Sequence, residues 1–437
     1  MTTVLHSGIS SVPMPAFSEE LPYPRRKRSH HDAIMPLQPL CDGTGTLGEH
    51  LKDRIADPQP RAIYLHIPFC RRICHFCNMR RMKGSPESHY ADLLIREMEA
   101  VTRIPYVRDG MYGAVYFGGG TPSTLSTPDL QRVLQALRTH FNLTDDVEIT
   151  LESSLSDLDE DKLKAVMAEG VNRLSLGVQT FHDRGRRLLG RLGDGDWVKA
   201  RVRRFRDLGL DNLGMDLIYH YPMQSDGELA HDLAAIAELD LAGFSLYSLM
   251  IREKSRLAHE HMAHAAQTPQ TLAREWQLFS RILEAGQRQG FEVLELTKMV
   301  KPGRDRYRYV ALRYQGGDTL PLGAGAGGRL AGMMLMNPLA LDAYTQGLES
   351  VTGREGMTTR PPYDALYRFI GAIQFGRVTL EPVPEAAHGA LLKRCEQLVD
   401  QALLTPLKDG CYPLTPKGIF WGNNLAAELA GCVMEHL

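Results

Sequence analysis

Cys70, Cys74 and Cys77 stand in the run Tyr64-Leu65-His66-Ile67-Pro68-Phe69-Cys70-Arg71-Arg72-Ile73-Cys74-His75-Phe76-Cys77. The spacing C-x3-C-x2-C gathers three thiolates on one short loop. That set suits three corners of a cubane iron–sulfur cluster and leaves the fourth iron open to an outside ligand. Zinc is the competing reading, but a structural zinc normally takes four protein ligands from paired knuckles. No second knuckle exists, because Cys41, Cys395, Cys411 and Cys432 are scattered singly. A catalytic zinc with three cysteines and a water, or three buried unligated thiols, are the alternatives the residues alone leave open.

Further along, Gly118-Gly119-Gly120-Thr121-Pro122 follows an apolar run. Glycines let backbone N–H and C=O groups approach a ligand head group, although a tight turn is the plainer reading of such a run. Glu152 ends the third apolar run, Gln179 the fourth, and Asp216 lies on the fifth, where a purely structural strand would continue with apolar residues. Polar groups at successive strand ends can converge on one ligand, or each can brace a loop. Arg71, Arg72, Arg80, Arg81 and Lys83 surround the cysteines; they are either a solvated rim or charges that tune a cluster and attract carboxylates. His66 and His75 lie close by without implied ligation. Late in the chain, Leu322-Gly323-Ala324-Gly325-Ala326-Gly327-Gly328 precedes Met333-Met334-Leu335-Met336-Asn337. This permits close packing against a flat ligand, or a glycine-rich turn beside an adaptable methionine core.

The elements that must position these residues follow an α/β pattern. Short β-rich apolar runs at 61–67, 113–118, 147–152, 172–178, 213–219 and 243–249 alternate with helical stretches such as Pro86 to Arg103, Pro128 to Phe141, Glu160 to Glu169 and Trp197 to Leu208. Repeated βα units imply a parallel sheet, and six of them an incomplete (β/α)6 TIM-like barrel whose chemistry sits where strands end. Residues 1–55 read as an irregular Pro-rich arm, 56–350 as the main domain, and 351–437 as a small C-terminal domain reached through a linker at Val351 to Pro362. The arm's run Pro22-Tyr23-Pro24-Arg25-Arg26-Lys27-Arg28 reads as a solvated tail or as a contact for acidic substrate groups. With 437 residues, 43% hydrophobic content and a formal charge of −2, the chain has no nucleic-acid footprint. No stretch reaches the roughly 18 apolar residues of a membrane span. Met1 to Phe17 lacks the regions of a secretory signal, so a cytoplasmic, reducing location is expected.

The wording Y-x-H-I-P-F-C-x3-C-x-F-C, followed one βα unit later by GGGTP, resembles the radical S-adenosylmethionine (SAM) superfamily, and within it the coproporphyrinogen-oxidase-like branch. The resemblance implies a radical SAM barrel with a small helical, winged-helix-like C-terminal domain. It also implies a [4Fe-4S] cluster on Cys70, Cys74 and Cys77, with SAM chelating the open iron and cleaved to a 5′-deoxyadenosyl radical. Positions matching the branch's SAM contacts are Tyr64, Phe76, Gly119, Gly120, Thr121, Glu152, Gln179, Arg191, Asp216 and, less securely, Ser248. No catalytic residue is assigned. The late G-x-G-A-G-G with its Met-Asn resembles the heme-utilisation subgroup, the anaerobilin synthases, which open the heme macrocycle without oxygen, use SAM as radical source and methyl donor, and release iron. A heme or related tetrapyrrole substrate and an electron donor such as flavodoxin or ferredoxin are then expected. Coproporphyrinogen III oxidation and non-catalytic heme chaperoning are the alternatives. Two departures stand out: Asn78-Met79-Arg80 where coproporphyrinogen oxidases carry a further cysteine, and Tyr219-His220-Tyr221-Pro222-Met223-Gln224 in place of a Gly-Leu-Pro-Gly-Gln-like turn.

Overall fold

Six parallel strands dominate the computed structural model, which describes Phe17, residues 20–86 and residues 89–436. They are β1 (Arg61–Ile67), β2 (Met111–Gly119), β3 (Asn142–Ser153), β4 (Arg173–Gln179), β5 (Leu213–Tyr219) and β6 (Gly243–Ser248), each paired in parallel with the next. A seventh, β7 (Thr319–Leu322), joins β1 in parallel from the other side. The main helices in chain order are α1 (His30–Ile34), α2 (Tyr90–Val101), α3 (Thr127–His140), α4 (Glu160–Ala168), α5 (Asp183–Leu189), α6 (Gly195–Asp207), α7 (Asp226–Glu238), α8 (Pro269–Arg288), α9 (Tyr363–Gln374), α10 (His388–Asp400) and α11 (Gly422–Met434).

The local causes are legible. Strands covered on both faces read as nearly continuous apolar runs, and Leu213, Met215 and Leu217 of β5 are fully buried. In α3, Leu130, Val133, Leu134 and Leu137 recur at helical spacing on the buried side. Ser126 caps that helix by accepting from the Asp129 N–H, and Ser225 with Glu228 forms a reciprocal capping box on α7. At the strand starts, away from the loops that follow the strands, the Arg173 guanidinium donates twice to the fully buried Asp305 carboxylate, at 2.9 and 3.0 Å.

Antiparallel strands extend both edges to a thirteen-stranded sheet. Lys298–Val300 and Glu292–Glu295 follow β6, while Gly327–Leu330, Met333–Met336, Glu355–Thr358 and Gly43–Thr46 follow β7. The stretch Val351 to Pro362, expected as a linker, thus supplies a strand of the main sheet. The arm is more regular than expected as well. It forms α1, a 3-10 turn at Met35–Leu40, the strand Gly43–Thr46 and a helix at Leu47–Leu51 capped by Thr46. Ala33, Leu37, Leu40, Leu47 and Leu51 are its buried face, a periodicity interrupted in the sequence by Pro36 and Pro39. The reading of no secretory signal rests on residues 1–17, of which only Phe17 lies among those described.

The basic run is a correction of a different kind. Arg26 and Arg28 are neither solvated nor free for substrate, since both pair with the buried Glu275 of α8. The Arg26 guanidinium lies 3.9 Å from the centroid of the Phe420 ring and donates to the Phe420 carbonyl at 2.7 Å. Asn424 of α11 brackets the arm, accepting from the Lys27 N–H and donating to the Arg25 carbonyl, each at 2.8 Å. Phe420 also packs edge-on against Trp276 of α8, with ring centroids 5.2 Å apart. The C-terminal helices and a small antiparallel pair, Arg377–Thr379 with Cys411–Pro413, therefore share one continuous core with the large sheet.

Candidate active site

The cysteine loop leaves the end of β1. Phe69–Cys70 pairs with Met82–Lys83 and closes the loop at its base, helped by the Met82 N–H on the Pro68 carbonyl at 2.7 Å. Cys70 is buried, and Cys74 and Cys77 are half-buried. Burial pushes the Cys70 and Cys77 thiols up, and proximity to Cys74 raises both further. Opposing this, the Thr121 hydroxyl lies 3.5 Å from Cys70 Sγ, the Arg81 guanidinium is near both thiols, and Arg191 Nη1 lies 2.9 Å from Cys74 Sγ. These fixed donors favour the thiolate form against that burial. Among the described residues no three His, Cys, Asp or Glu side chains converge closely enough for one metal ion. That leaves mononuclear zinc unsupported, whereas in a cubane each thiolate binds its own iron.

The turn after β2 is stitched to this loop. The Gly120 N–H donates to the Ile67 carbonyl and the Thr121 N–H to the Phe69 carbonyl, each at 2.8 Å. A Cβ on Gly120 would stand 2.6 Å from the Pro68 and Phe69 carbonyl oxygens, and Gly119 has φ 112°, so both positions require glycine. The pair of motifs is one structural unit.

The strand-end polar residues converge on the same cavity, about 950 Å3 in volume. Glu152 accepts from the Tyr116 hydroxyl at 2.5 Å. Its burial lifts the carboxyl to about 7, against the Tyr116 hydrogen bond, with Asp216 adding to the rise. Asp216 is raised by burial too, moderated by Lys298 and Ser245. Gln179 ends β4 in the left-handed region at φ 75°, an unfavourable conformation for a side-chain-bearing residue. Its Oε1, together with Arg191 Nε and Ser248 Oγ, is buried without a hydrogen-bond partner. Buried polar atoms are normally satisfied, so three orphans around one cavity mark a place for a polar ligand. Tyr64 packs beside the stacked pair of Tyr116 and Tyr309 and bonds His66 Nδ1 at 2.9 Å; Phe76 packs with the small apolar cluster around Leu189 and Leu249.

The structure thus brings Cys70, Cys74, Cys77, Tyr64, Phe76, Gly119, Gly120, Thr121, Glu152, Gln179, Arg191, Asp216 and Ser248 to the lining of one cavity. Arg72 and Arg80 are exposed at its mouth, Arg71 pairs with Asp157 at 3.2 Å, and Arg81 donates to the Cys77 carbonyl. Lys83 does not reach the cavity. The same cavity is also lined by Gly325, Gly327, Met336, Phe420 and Asn423. Beside the glycine run Glu97, wholly buried, accepts from the Gly323 N–H and from Asn337, whose amide also donates to the Gly323 carbonyl. The start of the glycine run is therefore fixed in place. Arg26, Arg28, His30 and His31 also line the cavity. No local pattern ties Arg26 to it, because its partners Glu275 and Phe420 lie some 250 and 390 positions away.

A family model for the radical SAM superfamily matches residues 64–236. Heme chaperone HemW of Lactococcus lactis is 30% identical over 375 residues, 84% of this chain and 96% of the relative. The chain belongs to the radical SAM superfamily. Anaerobilin synthase of Escherichia coli O157:H7 is 28% identical across 87% of this chain and 86% of its own length. Among solved structures, coproporphyrinogen III oxidase (HemN) from Escherichia coli superposes with a TM-score of 0.72 at 23% identity, covering 89% of this chain and 93% of that one, which shows a shared α/β radical SAM fold. The cofactors of this superfamily member are a [4Fe-4S] cluster and SAM. Three grouped thiols, an amide-rich glycine turn and three orphaned polar atoms fit that pair. No helix among the described residues is long and apolar enough to cross a membrane.

Proposed function

We propose that this radical SAM protein is a methyltransferase that methylates and opens the heme macrocycle without oxygen and releases its iron, drawing electrons from a donor such as flavodoxin or ferredoxin. The observation that carries the reading is a single cavity whose lining joins the thiols and the orphaned polar atoms to glycines, Met336 and Phe420, groups suited to a flat, largely apolar ligand, with the exposed Arg72 and Arg80 available to propionates. At about 950 Å3 the space lies at the large end of ligand sites. The extended likeness to anaerobilin synthase supports the same reading.

In this proposal Cys70, Cys74 and Cys77 hold the cluster, and Tyr64, Phe76, Gly119, Gly120, Thr121, Glu152, Gln179, Arg191, Asp216 and Ser248 hold SAM. When bound, the cofactors supply one-electron chemistry and the methyl carbon. The chain's own work is to orient and to shield. Arg191 donates toward the Cys74 sulfur; Gln179, Ser248 and the Gly119–Thr121 backbone offer donors and acceptors for an amino-acid head group. Glu152, with its carboxyl near neutrality, holds or gives up a proton at Oε2 while Oε1 stays bonded to Tyr116. The arm and Phe420 cover the cavity and limit water.

The test is anaerobic incubation of the cluster-loaded protein with SAM, reductant and heme. Loss of the Soret band with a methylated linear product is expected; an unchanged spectrum with a fully loaded cluster rejects the proposal. The match to HemW favours a second reading, heme chaperoning, which stoichiometric heme binding without 5′-deoxyadenosine would support. Vinyl products from coproporphyrinogen III would instead indicate the oxidase.

A further inference from the structure

Three histidines line the cavity: His30, His31 and His66. His66 is committed on both ring nitrogens, Nδ1 to the Tyr64 hydroxyl at 2.9 Å and Nε2 to the Arg80 carbonyl at 3.0 Å. His75, the other histidine of the cysteine loop, bonds the Leu188 carbonyl through Nδ1 and does not line the cavity. His30 and His31 differ: among the described residues neither imidazole has a hydrogen-bond partner. Their rings pack against each other with centroids 4.0 Å apart.

The pair is held in place from both sides. Upstream, Arg26 and Arg28 are anchored on Glu275, and downstream Ala33, Leu37 and Leu40 are buried in the common core. Ser29 caps α1 by accepting from the His31 N–H. His30 is half-buried while His31 is exposed. Burial, with His31 and Arg313 nearby, lowers His30 to about 3, which keeps its ring neutral with a lone pair available at physiological pH.

A fixed, neutral, unpartnered imidazole at the wall of a cavity is the usual donor to a heme iron. We propose that His30 is an axial ligand to the iron of a heme seated in this cavity, with His31 packed against its ring to hold the orientation. The inference rests on the tetrapyrrole reading above. It gives the arm a binding role: the strap that roofs the cavity carries the group that recognises the metal, so an iron porphyrin is preferred over the metal-free ring.

The experiment titrates ferric heme and metal-free protoporphyrin IX into the full-length protein under anaerobic conditions. Wild type, H30A and H31A are compared by Soret maximum and affinity. Wild type should bind heme at least tenfold more tightly than the metal-free ring. H30A should lose that preference and the ligand-dependent Soret position while keeping its affinity for the metal-free porphyrin, and added imidazole should restore the spectrum. H31A should keep the wild-type Soret position. The assignment is overturned if H30A binds heme with the wild-type spectrum and affinity, if it loses both porphyrins equally, or if H31A rather than H30A abolishes ligation. A wild-type protein that binds neither porphyrin would reject the proposed function itself, a result distinct from loss of iron preference.

Discussion

Glu152 shows how one residue's surroundings set its chemistry. It is buried beside Asp216, and burial outweighs its bond from Tyr116, which lifts its carboxyl to about 7. Because the folded value lies above the unfolded one, the stabilising contribution is complete below about pH 4.3 and is lost as pH rises through 7. Glu152→Gln keeps an acceptor for Tyr116 and removes the titration. In the cluster-free protein, the stability of the variant relative to wild type should therefore rise by on the order of 1–3 kcal/mol between pH 5 and pH 8. Urea unfolding at several pH values checks this, and parallel profiles would contradict it. The residue types were legible in the sequence because Glu152 and Gln179 interrupt apolar runs near strand ends and Asp216 interrupts one mid-strand. Their convergence and the missing partners of Gln179, Arg191 and Ser248 were not, since satisfaction depends on neighbours from several strands.

Among the elements, the cysteine loop and the glycine turn act as one piece. A methyl group at Gly120 would press on two carbonyl oxygens of the cysteine loop. Gly120→Ala should destabilise the fold by about 1–3 kcal/mol through overpacking. It should also weaken SAM binding more than tenfold, measured by equilibrium dialysis of the reconstituted protein; wild-type affinity would show that the two loops are independent. Spacing alone exposed both motifs, and the β2 start near Met111 to the β6 end at Ser248 followed expectation within a few residues, apart from an earlier start to β3 at Asn142. The antiparallel strands at Gly43–Thr46 and Glu355–Thr358 escaped it. Neither has an alternating apolar face; Gly43–Thr46 becomes a strand through a partner more than 300 residues away, and Glu355–Thr358 by lying between that strand and Met333–Met336.

At the scale of the whole molecule, the N-terminal arm, α8 and the C-terminal helices meet at Glu275. Burial would raise this carboxyl, but Arg26 and Arg28 outweigh it and hold it well below the usual carboxylate range. Glu275→Gln leaves two guanidiniums without a counter-charge, and removing one partner of a buried pair costs about 3–5 kcal/mol. The expected outcome is a lower melting temperature together with rapid proteolysis between residues 20 and 31; an arm as resistant as in wild type would contradict the clamp. The departure at Tyr219-His220 belongs to this same junction. The Tyr219 hydroxyl accepts from Arg26 at 3.3 Å, and His220 Nδ1 lies 4.0 Å from Glu275. That stretch thus packs against the arm whose Arg26 and Arg28 line the cavity.

If the cavity that holds the thiols takes SAM and a tetrapyrrole together, as proposed, carbon should pass from one to the other. The most direct measurement is mass spectrometry of the tetrapyrrole after anaerobic turnover with SAM deuterated in its methyl group. Deuterium in a ring-opened product is the predicted result. Formation of 5′-deoxyadenosine with heme recovered intact and unlabelled would contradict the account.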